Sequence, residues 1–229
     1  MASTPSRPGT DLPPELARLP HGRHGLPREF VIHNQRERLI AGLAAAVAEH
    51  GFAATTITHI TKAAAVSRRT FYEHFESKED CFLAAYDVVL EQMRERVITA
   101  AEAADEWPDK IRDGIAAVLD FFAAEPALAR LGMVESFVAG PEISKRHREA
   151  IESFIPILRL GRAGLVDDAG LERLPETTED AIVGGMALLI ARRVAVGQAE
   201  QLPELLPDLV LFALTPYLGP DEAQRVANA

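Results

Sequence analysis

The chain has 229 residues, of which 48% are hydrophobic and 25% charged, with a mean hydropathy of +0.01. This is the composition of a water-soluble globular protein, with length enough for a small module and one larger core-forming domain. No run approaches the roughly 20 apolar residues of a membrane span; the nearest, Ala181 to Ala191, is closed by Arg192 and Arg193.

The N-terminus has no apolar signal-peptide region, so a cytoplasmic protein without a membrane partner is expected. The single cysteine, Cys81, excludes an internal disulfide framework and a cysteine-built zinc site. The net charge of -10 is unevenly placed. Residues 1–80 hold 10 Lys+Arg against 9 Asp+Glu, and residues 81–229 hold 14 against 25. The acidic excess therefore lies wholly outside the N-terminal third, as in a chain with a DNA-facing end and a DNA-averse remainder.

In chain order, residues 1–27 are rich in Pro, Gly, Ser, Thr and Arg and read as a disordered arm. Arg18 and Arg23 could alternatively reach phosphates or a minor groove; the His21/His24 spacing, in such a tail, gives no basis for a metal site. From about Val31, Ile32, Leu39, Ile40, Leu43 and Val47 recur at helical spacing, and Gly51 stands where a left-handed cap would end the first helix near His50.

Thr55 or Thr56 can cap a second helix over Ile57–Ala65, and Ser67 a third over Arg68–Phe75. Ser77, with Asp80 three residues on, opens a long fourth helix to about Ala103 in a near relative of the capping box. Further helices are expected near Asp109–Ala124, Ala127–Ala139, Glu142–Leu165, Thr178–Gly197 and Leu205–Leu218. No segment alternates with period two, so the fold expected is all-α with about nine helices. The organisation expected is an arm (1–27), a three-helix module (28–77) and a larger helical domain (78–229).

The informative stretch runs from Thr56 to Asp80. Two short helices joined by a tight turn are a helix-turn-helix, whose second helix enters the major groove. Ile57, Ile60 and Ala64 give the first of these helices an inward face; Val66, Phe71 and Phe75 do so for the second. Arg68, Arg69, Thr70, Tyr72 and His74 remain outside. Two arginines in a first turn oppose the helix dipole, and a neighbouring polyanion removes that penalty.

The run Thr-x-x-x-Ile, Ala-x-Val-Ser, Phe71-Tyr72-x-His74-Phe75-x-x-Lys78 resembles the DNA-binding signature of the TetR family over residues 35–85, while residues 86–229 share only the family's layout. Ala65 and Arg69 depart from glycines common in the family. Ala65 implies a turn without positive φ or one under slight strain. Arg69 adds a potential contact of its own.

The resemblance implies a dimeric transcription regulator, a repressor by the family's usual sign, that reads a palindromic operator in double-stranded DNA and answers to a small-molecule effector. It implies phosphate contacts from Thr56, Thr58 and Lys78 and backbone contacts from Tyr72 and His74. Ser67, Arg68, Arg69 and Thr70 are the candidates for base reading, arginine being suited to guanine. Tyr72 could instead close the helical core, Ser67 serve only as a cap, and Lys78 be a solvated charge.

For the sensor, Phe121, Phe122, Met133, Phe137 and Phe154 are candidate cavity residues, with Glu135 and His147 as polar contacts. Plain core packing is the alternative for the apolar ones, and a solvated basic face for His147 within Lys145–Arg148. The dimer surface is expected on the last two long helices, from Met186, Leu189, Ile190 and Val194 beside Gly184, Gly185, Ala187 and Ala191, opposite Leu205, Leu206, Leu209, Phe212 and Leu214. Packing within one chain is the alternative.

No cofactor is expected. A glycine-rich phosphate loop, metal-ligand spacing and a nucleophile elbow are all absent from the sequence, which speaks against an enzyme. A helical interaction or ligand-carrying module whose helix-turn-helix has lost DNA binding remains the competing reading, from a different functional class.

Overall fold

The computed structural model of the chain describes residues 28–165 and 174–229. The expected arm over residues 1–27, with Arg18, Arg23, His21 and His24, lies outside them. Every regular element among the described residues is helical. In order they are α1 (Arg28–His50), α2 (Ile57–Ala64), α3 (Arg68–His74), α4 (Lys78–Ala103), α5 (Trp107–Ala124), α6 (Pro126–Met133), α7 (Pro141–Glu152), α8 (Ile155–Leu165), α9 (Thr178–Ala195), α10 (Leu206–Leu218) and α11 (Pro220–Ala227). Short 3-10 segments occupy Glu135–Phe137 and Ala199–Leu205. The chain divides into two units at Ala85/Tyr86, within α4, later than the 77/78 boundary expected from the sequence.

The first unit holds α1 to α3 and the opening turns of α4. Leu39, Leu43 and Val47 of α1, Ile60 and Ala64 of α2, Phe71 and Phe75, and Cys81 and Phe82 of α4 form its core. Ile32, expected on the inward face of α1, is instead largely exposed.

Two residues set how α1 meets α2. At Gly42 an added Cβ would lie 2.8 Å from the Ala64 nitrogen and the Ile60 carbonyl oxygen, so only glycine admits the crossing backbone. One turn earlier, the buried Arg38 guanidinium donates to the carbonyls of Ala64 (2.6 Å) and Ala65 (2.9 Å). A cation thereby satisfies the carbonyl end of α2, where the helix dipole is negative.

Local signals explain the remaining ends in this unit. Thr56 caps α2 by accepting from the His59 N–H, and the buried Thr55 hydroxyl instead donates to the Gly51 and Ala46 carbonyls. Ser67 caps α3 by accepting from the Thr70 N–H. Ser77 accepts from the Asp80 N–H, and the Asp80 carboxylate accepts from Glu76 in return. Ala65 is left-handed, with φ 51° and ψ 45°. Its N–H reaches Lys62 and that of Val66 reaches Thr61, the paired bonds that close a helix around a residue normally glycine.

The second unit is built from the rest of α4 and from α5 to α11 around Leu119, Phe121, Leu131, Leu202, Val210, Leu214 and Tyr217. Eleven α-helices are described where about nine were expected, for two reasons. The segment Glu142–Leu165 breaks after Glu152 and restarts at Ile155, because Pro156 has no N–H to continue a helix and fits only a first turn. Beyond Leu218, Gly219 turns the chain at φ 76° and Pro220, Asp221 and Glu222 open an additional helix. The expected Ala127–Ala139 helix ends at Met133 and gives way to the 3-10 turn.

Candidate nucleic-acid interface and effector cavity

α2 and α3 present one polar outer surface. Thr56, Thr58, Lys62, Ser67, Arg68, Arg69, Tyr72 and Glu73 are exposed, whereas Phe71 is fully buried beneath them. Tyr72, with half its surface exposed, stands outside the core, which removes the core-closing alternative for it. The Arg68 guanidinium lies over the Tyr72 ring at 5.8 Å and donates to its hydroxyl at 3.4 Å. The Arg69 guanidinium pairs with Glu73 one turn on at 3.0 Å. Ser67 caps the helix and shares a 2.9 Å hydrogen bond with the Thr70 hydroxyl, so both are held in place by each other.

Two residues expected to touch the DNA backbone are used inside the unit. The Lys78 ammonium donates to the carbonyls of Phe52 (2.8 Å) and Thr55 (3.0 Å) and sits 4.1 Å from the centroid of the Phe52 ring. It closes the α1–α2 turn and keeps one N–H at most for an outside acceptor. The His74 Nε2 meets the Gln35 side chain at 3.3 Å, tying α3 to α1, and burial, the largest influence, pushes its pKa below the ordinary histidine value. Its neutral form is thereby favoured.

Sequence reasoning missed Arg38. The available signal was Gly42, since an unforced glycine inside a helix is unfavourable and marks a close approach. It also missed Glu73, whose i,i+4 position relative to Arg69 was legible.

In the second unit a cavity of about 420 Å³ runs along α4. Its α4 wall extends from Tyr86 to Glu102, about 24 Å of helix at 1.5 Å per residue. The opposite walls are apolar, with Tyr86, His147, Glu102 and Lys110 as the polar side chains. Phe122, Met133, His147 and Phe154, four of the expected effector contacts, line it together.

The other expected contacts lie elsewhere. Phe121 is buried outside the lining, with the Arg96 guanidinium 4.7 Å from its ring centroid. Glu135 is buried and pairs with Arg130 at 3.1 Å. Phe137 lines a second, more polar recess of about 400 Å³. In the basic cluster, Lys145 and Arg146 pair outward with Glu149 and Asp87, while His147 turns in and is 3% exposed.

The expected dimer residues also divide. Met186, Ile190 and Leu209 line the cavity and Val194 is core. Leu189 and Phe212 are exposed, and with Leu188, which the sequence reading left out, they form an outward apolar stripe. α9 is apolar on two faces, and periodicity alone does not say which faces inward.

Two short capped helices locked by a buried arginine, with arginines on the outer face of the second, define a helix-turn-helix DNA-binding unit; a helical unit with an apolar cavity follows it in the chain. Residues 39–85 match the family described as bacterial regulatory proteins, tetR family. The chain is 28% identical over 207 residues to the HTH-type transcriptional regulator EthR of Mycolicibacterium smegmatis, covering 86% of this chain and 89% of that protein.

Among solved structures, the fatty acid degradation regulator FadR of Bacillus halodurans superposes with a TM-score of 0.69 at 18% identity, over 81% of this chain and 95% of its own. FadR of Bacillus subtilis, solved in complex with stearoyl-CoA, gives 0.64 at 19% identity, over 80% and 98%. Those two likenesses speak to the fold. Residues 39–85 are thus a tetR-family helix-turn-helix domain, and over most of its length the chain is similar to a DNA-binding transcription regulator. Among the described residues no helix is long and apolar enough to cross a membrane.

Proposed function

We propose that the protein is a homodimeric repressor that holds a palindromic operator through α2 and α3 of two copies and releases it when a small, mostly apolar effector fills the cavity of the second unit. The observation that supports this most directly is that cavity, in the same chain as a helix-turn-helix with exposed arginines. Its volume lies in the range of small-molecule sites, and its walls are apolar with few polar points, the usual composition of such sites. B. subtilis FadR was solved with a long acyl thioester, and a cavity following some four turns of helix suits an extended chain of that kind.

Arg68 is the foremost base reader in this reading, since Tyr72 holds its guanidinium without neutralising it. Arg69 joins it once Glu73 yields to a base or phosphate. Thr56 and Thr58 supply neutral phosphate contacts, and Lys78 and His74 act by fixing the turn and α3. Leu188, Leu189 and Phe212 form the face that meets the second copy. α4 is the coupling element, because its residues belong to both units and its later turns line the cavity. An effector shifts the equilibrium only as far as it prefers the conformer with wrongly spaced recognition helices.

The test is enrichment from a pool of random duplexes at moderate salt. A recovered palindrome, lost on Arg68→Ala, is the expected result. Folded, dimeric protein that enriches nothing would favour an interaction or ligand-carrying module with an idle helix-turn-helix.

A further inference from the structure

His147 occupies an unusual place. Its imidazole is 3% exposed, its Nδ1 lies 2.8 Å from the Tyr86 hydroxyl, and its Nε2 is buried with no hydrogen-bond partner. Buried polar groups are seldom left this way unless something else supplies the partner. The residue also lies at a junction. With Ile151 and Val183 it belongs to the lining of both the long apolar cavity and the polar recess. The recess contributes Ser144, Arg148, Glu152 and Asp180, a very different chemistry from the apolar side.

We propose that the effector is an amphiphile with an apolar chain in the long cavity and a neutral polar head in the recess, and that His147 Nε2–H donates to a carbonyl oxygen between the two. The proposal rests on the reading of the cavity as the effector site and adds the ligand's functional group and its anchor. The donor role follows from where the protons sit. Burial holds the imidazole neutral by lowering its pKa and keeps the Tyr86 hydroxyl protonated by raising its own.

If Nδ1 carried the proton, the Tyr86 O–H would have no acceptor and Nε2 would be a bare lone pair. With Tyr86 donating to Nδ1, one bond satisfies both, and only the Nε2–H remains open. An N–H asks for an acceptor, and a carbonyl is the acceptor an apolar chain can bring at its end. A free carboxylate suits the place less well, because Glu152 and Asp180 in the recess balance Arg148 and the Arg159 that lies 3.6 Å from Asp180, leaving no surplus cation. Phe137 packs edge-on to the imidazole with ring centroids 4.6 Å apart, lines the recess and is more than half exposed, so it can turn aside as a head group enters.

The test measures displacement of an apolar fluorescent dye from the full-length protein by methyl dodecanoate and by dodecyl methyl ether, which share a chain but differ in the carbonyl. Wild type is expected to prefer the ester by about ten-fold, the worth of one neutral hydrogen bond. His147→Phe is expected to bind both alike, at the affinity of the ether. His147→Gln, which keeps an N–H donor, should recover part of the preference. Melting curves of each variant establish that it is folded, and the wild-type comparison decides the matter without them. Equal wild-type affinity for ester and ether, or an ester preference that survives in His147→Phe, overturns the anchor while leaving an apolar effector site in place. Failure of both compounds to displace the dye overturns the apolar-effector reading, and the anchor with it.

Discussion

Replacing Ala65 by glycine should make this protein more stable, although it removes a side chain from the turn at the centre of the DNA-binding unit. Ala65 sits at φ 51° and ψ 45°, where an L-residue's Cβ crowds the backbone at a cost of about 1–2 kcal/mol. Glycine relieves that strain but gains freedom in the unfolded chain, which returns roughly 0.4–1 kcal/mol. The difference is a net stabilisation of about 0.5–1 kcal/mol. The conformation itself is held by the N–H bonds of Ala65 and Val66 to Lys62 and Thr61 and by Arg38 on the Ala65 carbonyl, none of which needs the methyl group.

Native-state hydrogen exchange of the α2 and α3 amides is the assay, because it reads the local unit directly. Protection in Ala65→Gly should rise about two- to five-fold. Ala65→Val, branched at Cβ, should lower it instead. A glycine variant with weaker protection than wild type would refute the strain and the left-handed turn from which it is deduced.

Other consequences are as direct. Arg38→Met removes two charge-assisted bonds from the end of α2 and should cost about 2–4 kcal/mol in urea unfolding, with loss of operator binding. Gly42→Ala forces a Cβ against backbone atoms at 2.8 Å and should cost roughly 1–3 kcal/mol, read as a lowered melting temperature.

Burial depresses the pKa of both His74 and His147, so the unfolded chain binds protons more readily than the folded one just below the ordinary histidine value. Stability should therefore be at its plateau above about pH 6.5 and decline as pH falls from there toward the folded-state values. The urea midpoint at pH 7.5 against pH 5.5 shows this, and His74→Gln with His147→Gln should flatten the difference. Phe212→Glu places a charge on the exposed stripe and should shift the protein from dimer to monomer in light scattering while leaving the fold intact.

The helix-turn-helix was legible because its signals are local. Thr56, Ser67 and Ser77 each cap the helix they precede, and Phe71 and Phe75 recur on one face of α3. What the sequence concealed were the long-range partnerships. Gly42 marks a close approach on α1, but does not say that the Arg38 guanidinium will close a helix 26 residues away, and nothing near Lys78 points to the Phe52 and Thr55 carbonyls. The cavity was half legible for a related reason. Phe122, Met133 and Phe154 are apolar residues at helical spacing, as is Phe121, and only packing separates the lining from the core. On α9 the stripe through Met186, Ile190 and Val194 and the stripe through Leu188 and Leu189 are equally apolar, so inner and outer faces could not be told apart before the fold was known. α11 was missed although Gly219, Pro220 and Asp221 announce it, because the apolar pattern behind them is short.

The most direct test of the account is the salt dependence of binding to the enriched duplex, measured by anisotropy with and without a dodecanoyl ester. Each phosphate neutralised contributes about -0.9 to the slope of log K against log salt. The account predicts a steep negative slope, made shallower in Arg68→Ala, and release of the duplex as the ester saturates the cavity. Weak binding with a flat slope, indifferent to Arg68 and to the ester, would contradict it.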